Sequence, residues 1–389
     1  MNLVEWIEII LKPKPKPKLV PVPVKNLNSD MKKLALIIFS LLTFATFAQT
    51  STIYKSKAAT YFDKGDFSKA ATNLTLALKI NPKDEKALGN RALCYEKLQK
   101  FDLALKDNLE LLKYNQSGET LGSIGYDYLW LDKYEESRKY LNQAIELLPE
   151  KVVYRYNLAL TYQYEENFEE AVIYYDEALV ISPKHTPSLI SKTRCLVKSK
   201  LFENASAVVD SFFADHRFDV EMIILRGDLK KQKGKIEDAL NDYNRALAIL
   251  PEDTEVLNKA LKCLYELGYH DEEIELRKRE IEILLKSGGS KESKALSFAL
   301  LGFAQEAALY YEDALQSYNE SLKLDITGGE GRIYYIRSIL KAKLKDFEGA
   351  CIDLAKTKEI DPGKDEEYDQ YFIDDAEFEE FVDYCMPNL

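Results

Sequence analysis

The chain carries few of the side chains that usually perform covalent or metal chemistry. Five cysteines and three histidines are present among its 389 residues. The histidines, His185, His216 and His270, stand far apart in sequence, and no zinc-protease helix, paired Cys/His metal spacing or nucleophile turn accompanies them. A glycine-rich phosphate-binding loop is also missing from the sequence. We therefore expect a protein that is not an enzyme, with no cofactor and with no catalytic, cofactor-binding or metal-binding residue.

A different pattern dominates the sequence, in which a bulky residue is followed three positions later by a small one. The first six small residues are 33 or 34 positions apart, and the pattern returns twice more after longer intervals. A period of this length is typical of stacked helix hairpins. The pairs are Phe67 and Ala70, Phe101 and Ala104, Tyr134 and Ser137, Phe168 and Ala171, Phe202 and Ala205, Ile236 and Ala239, Tyr311 and Ala314, and Phe347 and Ala350.

Recurrent prolines set the register of these units, because a proline shortly after a helix stops it and redirects the chain. Each unit predicts two amphipathic helices, whose apolar faces only a neighbouring hairpin can cover. The prolines are Pro82, Pro149, Pro183, Pro251 and Pro362. The resulting units are 51–84, 85–117, 118–151, 152–185, 186–219, 220–253, 254 to about 294, 295 to about 330, and 331–364.

The residues that recur inside the units resemble those of the tetratricopeptide repeat family. The resemblance implies an all-α fold, namely a right-handed superhelical solenoid of about nine helix hairpins with a C-terminal capping helix. The fourth unit carries the family's pattern as Leu158, Ala159, Tyr162, Ala171, Tyr175, Ala178 and Pro183. The first unit carries it as Tyr54, Ala58, Tyr61, Ala70, Leu74, Ala77 and Pro82.

The regular pattern weakens near residue 288. Glu273 stands where the second helix of the seventh unit should carry a small residue, and residues 287–290 read SGGS. The predicted organisation is therefore a repeat array over 49–287 (units 1–7), a flexible break at 288–294, units 8 and 9 over 295–364, and an acidic capping helix over 365–389. That last segment places Phe378, Phe381, Val382 and Cys385 on one helical face.

The beginning of the chain has the order of a secretory signal peptide. Residues 31–48 run from two lysines through an apolar stretch to small residues. The apolar stretch is too short for the roughly 30 Å hydrocarbon core of a bilayer. We expect cleavage before Gln49 and an exported chain, periplasmic or secreted, without a stable membrane span. Residues 1–30, rich in Lys and Pro, are expected to be a non-native or disordered extension, while an uncleaved anchor with a cytoplasmic extension is the alternative.

The five cysteines fall into two groups in the repeat register. Cys94, Cys195 and Cys263 each occupy position 10 of a unit, where a small buried residue packs between helices, so we expect free thiols. Cys351 lies on the second helix of the last repeat and Cys385 lies on the capping segment. Because an exported chain meets an oxidising compartment, a Cys351–Cys385 disulfide is predicted.

In tetratricopeptide repeat proteins, positions 2, 5, 9, 12 and 13 of each unit line a concave groove, and the resemblance implies that a partner's peptide or helix binds there. Aromatic side chains are common anchors of interfaces. Burial of several of these residues between repeat layers is the alternative. The predicted groove residues are Tyr126, Leu129 and Trp130 in the third unit, and Tyr156, Leu160 and Tyr164 in the fourth.

The charge of the chain narrows the class of partner. A formal net charge of −12 disfavours nucleic acid. The carboxylate clamp that some members of the family use for chaperone C-termini is also not expected, because Glu119 stands at a clamp position and would repel a carboxylate. The sequence thus predicts a non-catalytic protein–protein interaction scaffold of the periplasm or cell envelope. A glycan-binding or small-ligand-binding module of an envelope uptake system, using the same aromatics, is the alternative.

Overall fold

A computed structural model describes residues 36, 49–215, 218–324, 330–362 and 385. These residues form helices and turns without any strand, which confirms the predicted all-α class. The expected extension 1–30, the signal peptide 31–48 and the capping helix 365–389 lie outside the described residues, apart from Leu36 and Cys385. No described helix is both long enough and apolar enough to cross a bilayer.

Eighteen helices in the described ranges pair into nine hairpins, as the register predicted. Helix α1 covers residues 49–63 of the described chain. The others are α2 (Phe67–Ile80), α3 (Glu85–Lys97), α4 (Phe101–Leu112), α5 (Gly118–Leu129), α6 (Tyr134–Leu147), α7 (Val152–Tyr164), α8 (Phe168–Ile181), α9 (Thr186–Lys198), α10 (Phe202–Ala214), α11 (Val220–Gln232), α12 (Ile236–Ile249), α13 (Thr254–Leu267), α14 (His270–Lys286), α15 (Lys291–Ala307), α16 (Tyr311–Leu322), α17 (Glu330–Lys343) and α18 (Phe347–Ile360).

Every hairpin turns through one residue in the left-handed region of backbone space. In each turn, the amide after that residue donates to the carbonyl five residues earlier, as when Lys133 bonds Tyr128 at 3.0 Å. This bond is the signature of a Schellman ending, which satisfies the last carbonyls of the first helix. The left-handed residues are Gly65, Gln99, Asp132, Glu166, Lys200, Gly234, Gly268, Leu309 and Lys345. The 34-residue period therefore extends to the backbone of the turn.

The chain divides into two compact units, which we call the front unit (1–161) and the rear unit (162–389). The division falls inside α7, whereas the sequence pattern placed the main discontinuity near 288. In the front unit, small residues such as Ala70 and Ala87 allow α1 to α4 to pack closely around Leu74 and Leu88. In the rear unit, Tyr243 and Leu257 fill an equivalent core between α11, α12 and α13.

The expected flexible break at 288–294 is shorter in the structure. Helix α15 begins at Lys291, because Ser290 caps it by accepting a hydrogen bond from the Ser293 amide at 3.1 Å. Residues 291–294 are therefore helical, and only 287–290 form the loop. On either side of that loop, Ile281 and Leu301 belong to one buried apolar cluster.

The cysteines are arranged as the register predicted. Cys351 and Cys385 form a disulfide with a Cα–Cα distance of 5.4 Å. Cys385 is fully buried in the apolar cluster of the last hairpin. Cys94, Cys195 and Cys263 are buried free thiols. The disulfide therefore joins the C-terminal segment to α18.

Candidate partner-binding site

Three aromatic residues of the front unit contact one another and form what we call the aromatic cluster. The rings of Phe101 and Trp130 stack with centroids 5.7 Å apart, and Tyr126 meets both edge-on at 6.1 Å. Phe101 is the first residue of α4, while Tyr126 and Trp130 lie four positions apart at the end of α5. Their i, i+4 spacing places both side chains on one helix face.

The six predicted groove residues differ in how much surface they present. Trp130 is 42% exposed and Tyr126 is half-buried, so both can offer ring surface to a partner. Leu129 and Leu160 are only 1% and 8% exposed, so these two side chains serve mainly in packing.

The remaining two predicted residues lie on α7. Tyr156, in the front unit, is half-buried, and Tyr164, in the rear unit, is exposed. That the six predicted groove residues bind a partner stays a prediction.

A cavity of about 390 Å³ lies between the first helices of three successive hairpins in the front unit, α3, α5 and α7. We call it the acidic pocket, since two carboxylates and one ammonium group line it. The aromatic cluster borders it through Tyr126, which belongs to both. The lining residues are Glu96, Lys97, Glu119, Gly122, Ser123, Tyr126, Val153, Tyr154 and Asn157.

Beneath this pocket, a buried polar group replaces the usual apolar packing between repeats. The Asn108 side-chain amide donates to Asp127 Oδ2 at 2.7 Å, and Asp127 is fully buried. Its other oxygen, Oδ1, has no hydrogen-bond partner among the residues that the structure describes. Burial raises the pKa of Asp127 to about 8, with Glu96 and Asp107 adding to the shift and Asn108 opposing it. Burial also raises the pKa of Glu96.

Sequence reasoning missed this polar group, although the register contained its signal. Asn108 occupies the position that holds Tyr175 and Tyr243 in other units, and Asp127 occupies the position of the buried cysteines. Polar residues at two facing core positions of successive units are unusual, because a buried polar group costs free energy unless it is paired.

Buried ion pairs inside single hairpins were also missed. Arg91, on the first helix of its hairpin, donates two hydrogen bonds of 2.7 Å to Asp107 on the second, sixteen residues later. The same spacing joins Arg226 to Asp242. It recurs between Arg337 and Asp353. Because each pair lies between the two helices of one hairpin, we assign it a structural role.

The rear unit has a larger cavity of about 600 Å³ along α9, α11 and α13. Most of its charged side chains form ion pairs with one another. Lys259 contacts Asp228 at 2.8 Å and Glu255 at 3.2 Å, and Arg194 pairs with Glu221. The acidic pocket of the front unit differs, because neither Glu96 nor Glu119 has an ion pair within the described residues.

Metal chemistry was not predicted, and the described residues contain no group of three or more His, Cys, Asp or Glu side chains placed to hold a metal ion.

Nine two-helix hairpins at a period of about 34 residues define a helical repeat protein. Tetratricopeptide repeat profiles match residues 56–118 and 116–184. Residues 56–184 therefore consist of tetratricopeptide repeats.

Two relatives are similar to this chain in sequence over different lengths. Human DnaJ homolog subfamily C member 7 is 21% identical over 347 residues, which cover 85% of this chain and 64% of that protein. Protein PHOX3 of Arabidopsis thaliana is 36% identical over 90 residues, or 23% of this chain and 11% of that protein. The chain thus spans less than two thirds of the length of either relative.

Two solved structures each match about half of the chain. PilF of Pseudomonas aeruginosa matches with a TM-score of 0.47 and 18% identity, over 57% of this chain and 99% of that one. The type IV pilus biogenesis factor PilW matches with a TM-score of 0.48 and 22% identity, over 54% of this chain and 97% of that one.

Proposed function

We propose that this chain is a non-catalytic scaffold of the periplasm or cell envelope that binds a segment of another protein along α5 and α7. The observation that carries the proposal is the aromatic cluster, in which Trp130 stays 42% exposed while stacked on Phe101. A rigidly held, partly exposed tryptophan offers a large contact area at a low cost in conformational entropy, as is typical of interface anchors.

Location outside the cytoplasm is the second part of the proposal. Residues 31–48 have the composition of a secretory signal peptide. A Cys351–Cys385 disulfide is consistent with an oxidising compartment. Sequencing the N-terminus of the native protein tests this part. A mature chain that begins at Gln49 supports export, and a native chain that retains residues 31–48 contradicts cleavage.

The binding site is tested with the double variant Tyr126→Ala and Trp130→Ala. We expect loss of partner capture by the full chain, because both ring surfaces are removed. Tyr265→Ala serves as a control, since Tyr265 is an exposed aromatic of the rear unit.

The glycan-binding alternative is tested by measuring carbohydrate affinity on the same proteins. If the double variant loses carbohydrate affinity but keeps protein capture, the glycan-binding alternative is supported; if it loses neither, the aromatic cluster is not the site.

A further inference from the structure

The acidic pocket carries negative charge that the protein itself leaves without an ion pair. Glu96 on α3 and Glu119 on α5 both line the pocket, and Lys97 is the one cation among the lining residues. Although Lys97 lies close enough to influence Glu96, neither carboxylate forms an ion pair within the described part of the chain. By contrast, three carboxylates of the larger rear cavity, Glu221, Asp228 and Glu255, are already paired with cations.

The surroundings of Glu96 keep this charge poorly solvated. Its carboxylate is partly buried, and the raised pKa has burial as its main cause. Next to it, the fully buried Asp127 shares the Asn108 side chain, and one Asp127 oxygen has no hydrogen-bond donor within the described ranges. A carboxylate in such a place gains free energy when an external cation approaches, because partial burial strengthens the attraction between charges.

The rest of the pocket suits an organic cation. Tyr126 joins the pocket to the aromatic cluster, and its neighbour Trp130 exposes ring surface. Aromatic faces attract ammonium and guanidinium groups, and carboxylates accept charge-assisted hydrogen bonds from them. A carboxylate ligand would instead be repelled by Glu96 and Glu119. The formal charge of −12 adds a long-range attraction for basic partners.

We propose that the acidic pocket receives a lysine or arginine side chain of the bound protein segment, while apolar residues next to it in that segment lie against the aromatic cluster. This inference rests on the proposed function, since it assigns a charge preference to the same site. The partner is thus a basic and apolar segment, with the cationic group placed between Glu96 and Glu119.

Binding of defined peptides to the full chain tests the inference by titration calorimetry. The first peptide alternates lysine and leucine over about ten residues, and a second of equal length carries glutamine in place of each lysine. We expect the lysine peptide to bind at least tenfold more tightly than the glutamine peptide. The variant Glu96→Gln with Glu119→Gln should reduce that ratio to about twofold or less.

A control variant distinguishes the effect of the two pocket carboxylates from the effect of the overall charge of the chain. Glu135→Gln with Glu136→Gln removes two exposed charges of the same unit, outside the pocket, on the first turn of α6. It should leave the lysine preference nearly intact. Because Glu119 is exposed, Glu119→Gln alone provides a variant that should fold normally, which circular dichroism checks.

Three outcomes overturn the inference: equal binding of the two peptides, no detectable binding of the lysine peptide, or equal loss of the preference in the pocket variant and the control. The proposed function has a separate readout in Tyr126→Ala with Trp130→Ala. If that variant loses both peptides while the pocket variant binds them like the unmodified chain, the site stands and the cation preference is rejected. If neither variant changes binding, both proposals fail.

Discussion

The ring of Tyr154 lies directly against the backbone of Gly122, so that a Cβ atom on residue 122 would lie 2.2 Å from the Tyr154 ring. This contact sets the close approach of α7 to α5, and both residues line the acidic pocket. The shape of the pocket therefore depends on the absence of a side chain at one position.

Gly122→Ala should destabilise the front unit by about 1–3 kcal/mol, because the added methyl group forces the Tyr154 ring or the helix to move. Urea unfolding measures the change. Gly89→Ala is the matched control, because a Cβ there meets Leu111 at an ordinary 3.5 Å and alanine favours the helix. Equal stability of the Gly122→Ala variant and the unmodified chain would contradict the packing described here.

Asp127 should make the stability of the front unit depend on pH. Its folded pKa is about 8, above the ordinary 3.8, so the folded state holds a proton that the unfolded chain releases. This contribution is fully favourable below about pH 4 and is lost as the pH rises to about 8. Asn108 donates a hydrogen bond to this carboxyl group, and Glu96 and Asp107 act on it through their charge. Arg91 is paired with Asp107.

Asp127→Asn removes the titrating group and keeps a similar shape. We expect the variant to gain stability relative to the unmodified chain at pH 8.5, and to gain much less at pH 5, because most of the loss occurs between these two pH values. Urea unfolding at the two pH values gives the comparison, with the exposed Asp102→Asn as control. A stability difference that does not change between the two pH values would show that Asp127 is not buried in its neutral form.

The buried ion pair of the sixth hairpin should be sensitive to the loss of one partner. Arg226 and Lys230 both contact the almost fully buried Asp242, at 2.5 Å and 2.8 Å. Asp242→Ala leaves these cations without their acceptor and should destabilise the rear unit by about 3 kcal/mol. The exposed pair of Lys278 and Glu275 supplies a control, since Lys278→Ala should cost less than about 1 kcal/mol. If Asp242→Ala and Lys278→Ala destabilise the protein equally, the structural role assigned to the buried ion pair is refuted.

The disulfide should be visible in the thiol count of the native protein. Alkylation in denaturant without reductant should modify three cysteines, namely Cys94, Cys195 and Cys263, because Cys351 and Cys385 are bonded. Replacing both bonded cysteines with serine should destabilise the last hairpin by about 2–4 kcal/mol. Modification of all five cysteines before reduction would rule out the disulfide.

Much of the fold could be predicted from spacing alone. The interval between Phe101 and Tyr134 gives the register, and the same interval recurs in the left-handed turn residues Gln99 and Asp132. The burial of Cys94 follows from that register, whereas the pairing of Cys351 with Cys385 was predicted from the expected export of the chain. The spacing predicts the helices and the buried positions correctly because the same two-helix packing recurs in each unit.

The candidate site was less predictable, because a repeat pattern does not report how deeply one residue is covered by its neighbours. Leu129 and Trp130 are adjacent predicted groove residues, yet Leu129 is buried and Trp130 is exposed. The buried pair of Asn108 and Asp127 departs from the pattern at two facing positions, and only the structure shows that the two departures meet.

Site-specific photocrosslinking at position 130 tests the central claim most directly. A photoreactive phenylalanine analogue replaces Trp130 in the full chain expressed in its native cell, and the same analogue replaces the exposed Tyr265 as the control. The account predicts one protein adduct from position 130, absent from position 265, whose crosslinked segment combines basic and apolar residues. Adducts of the same protein from both positions, or none from position 130, would contradict it.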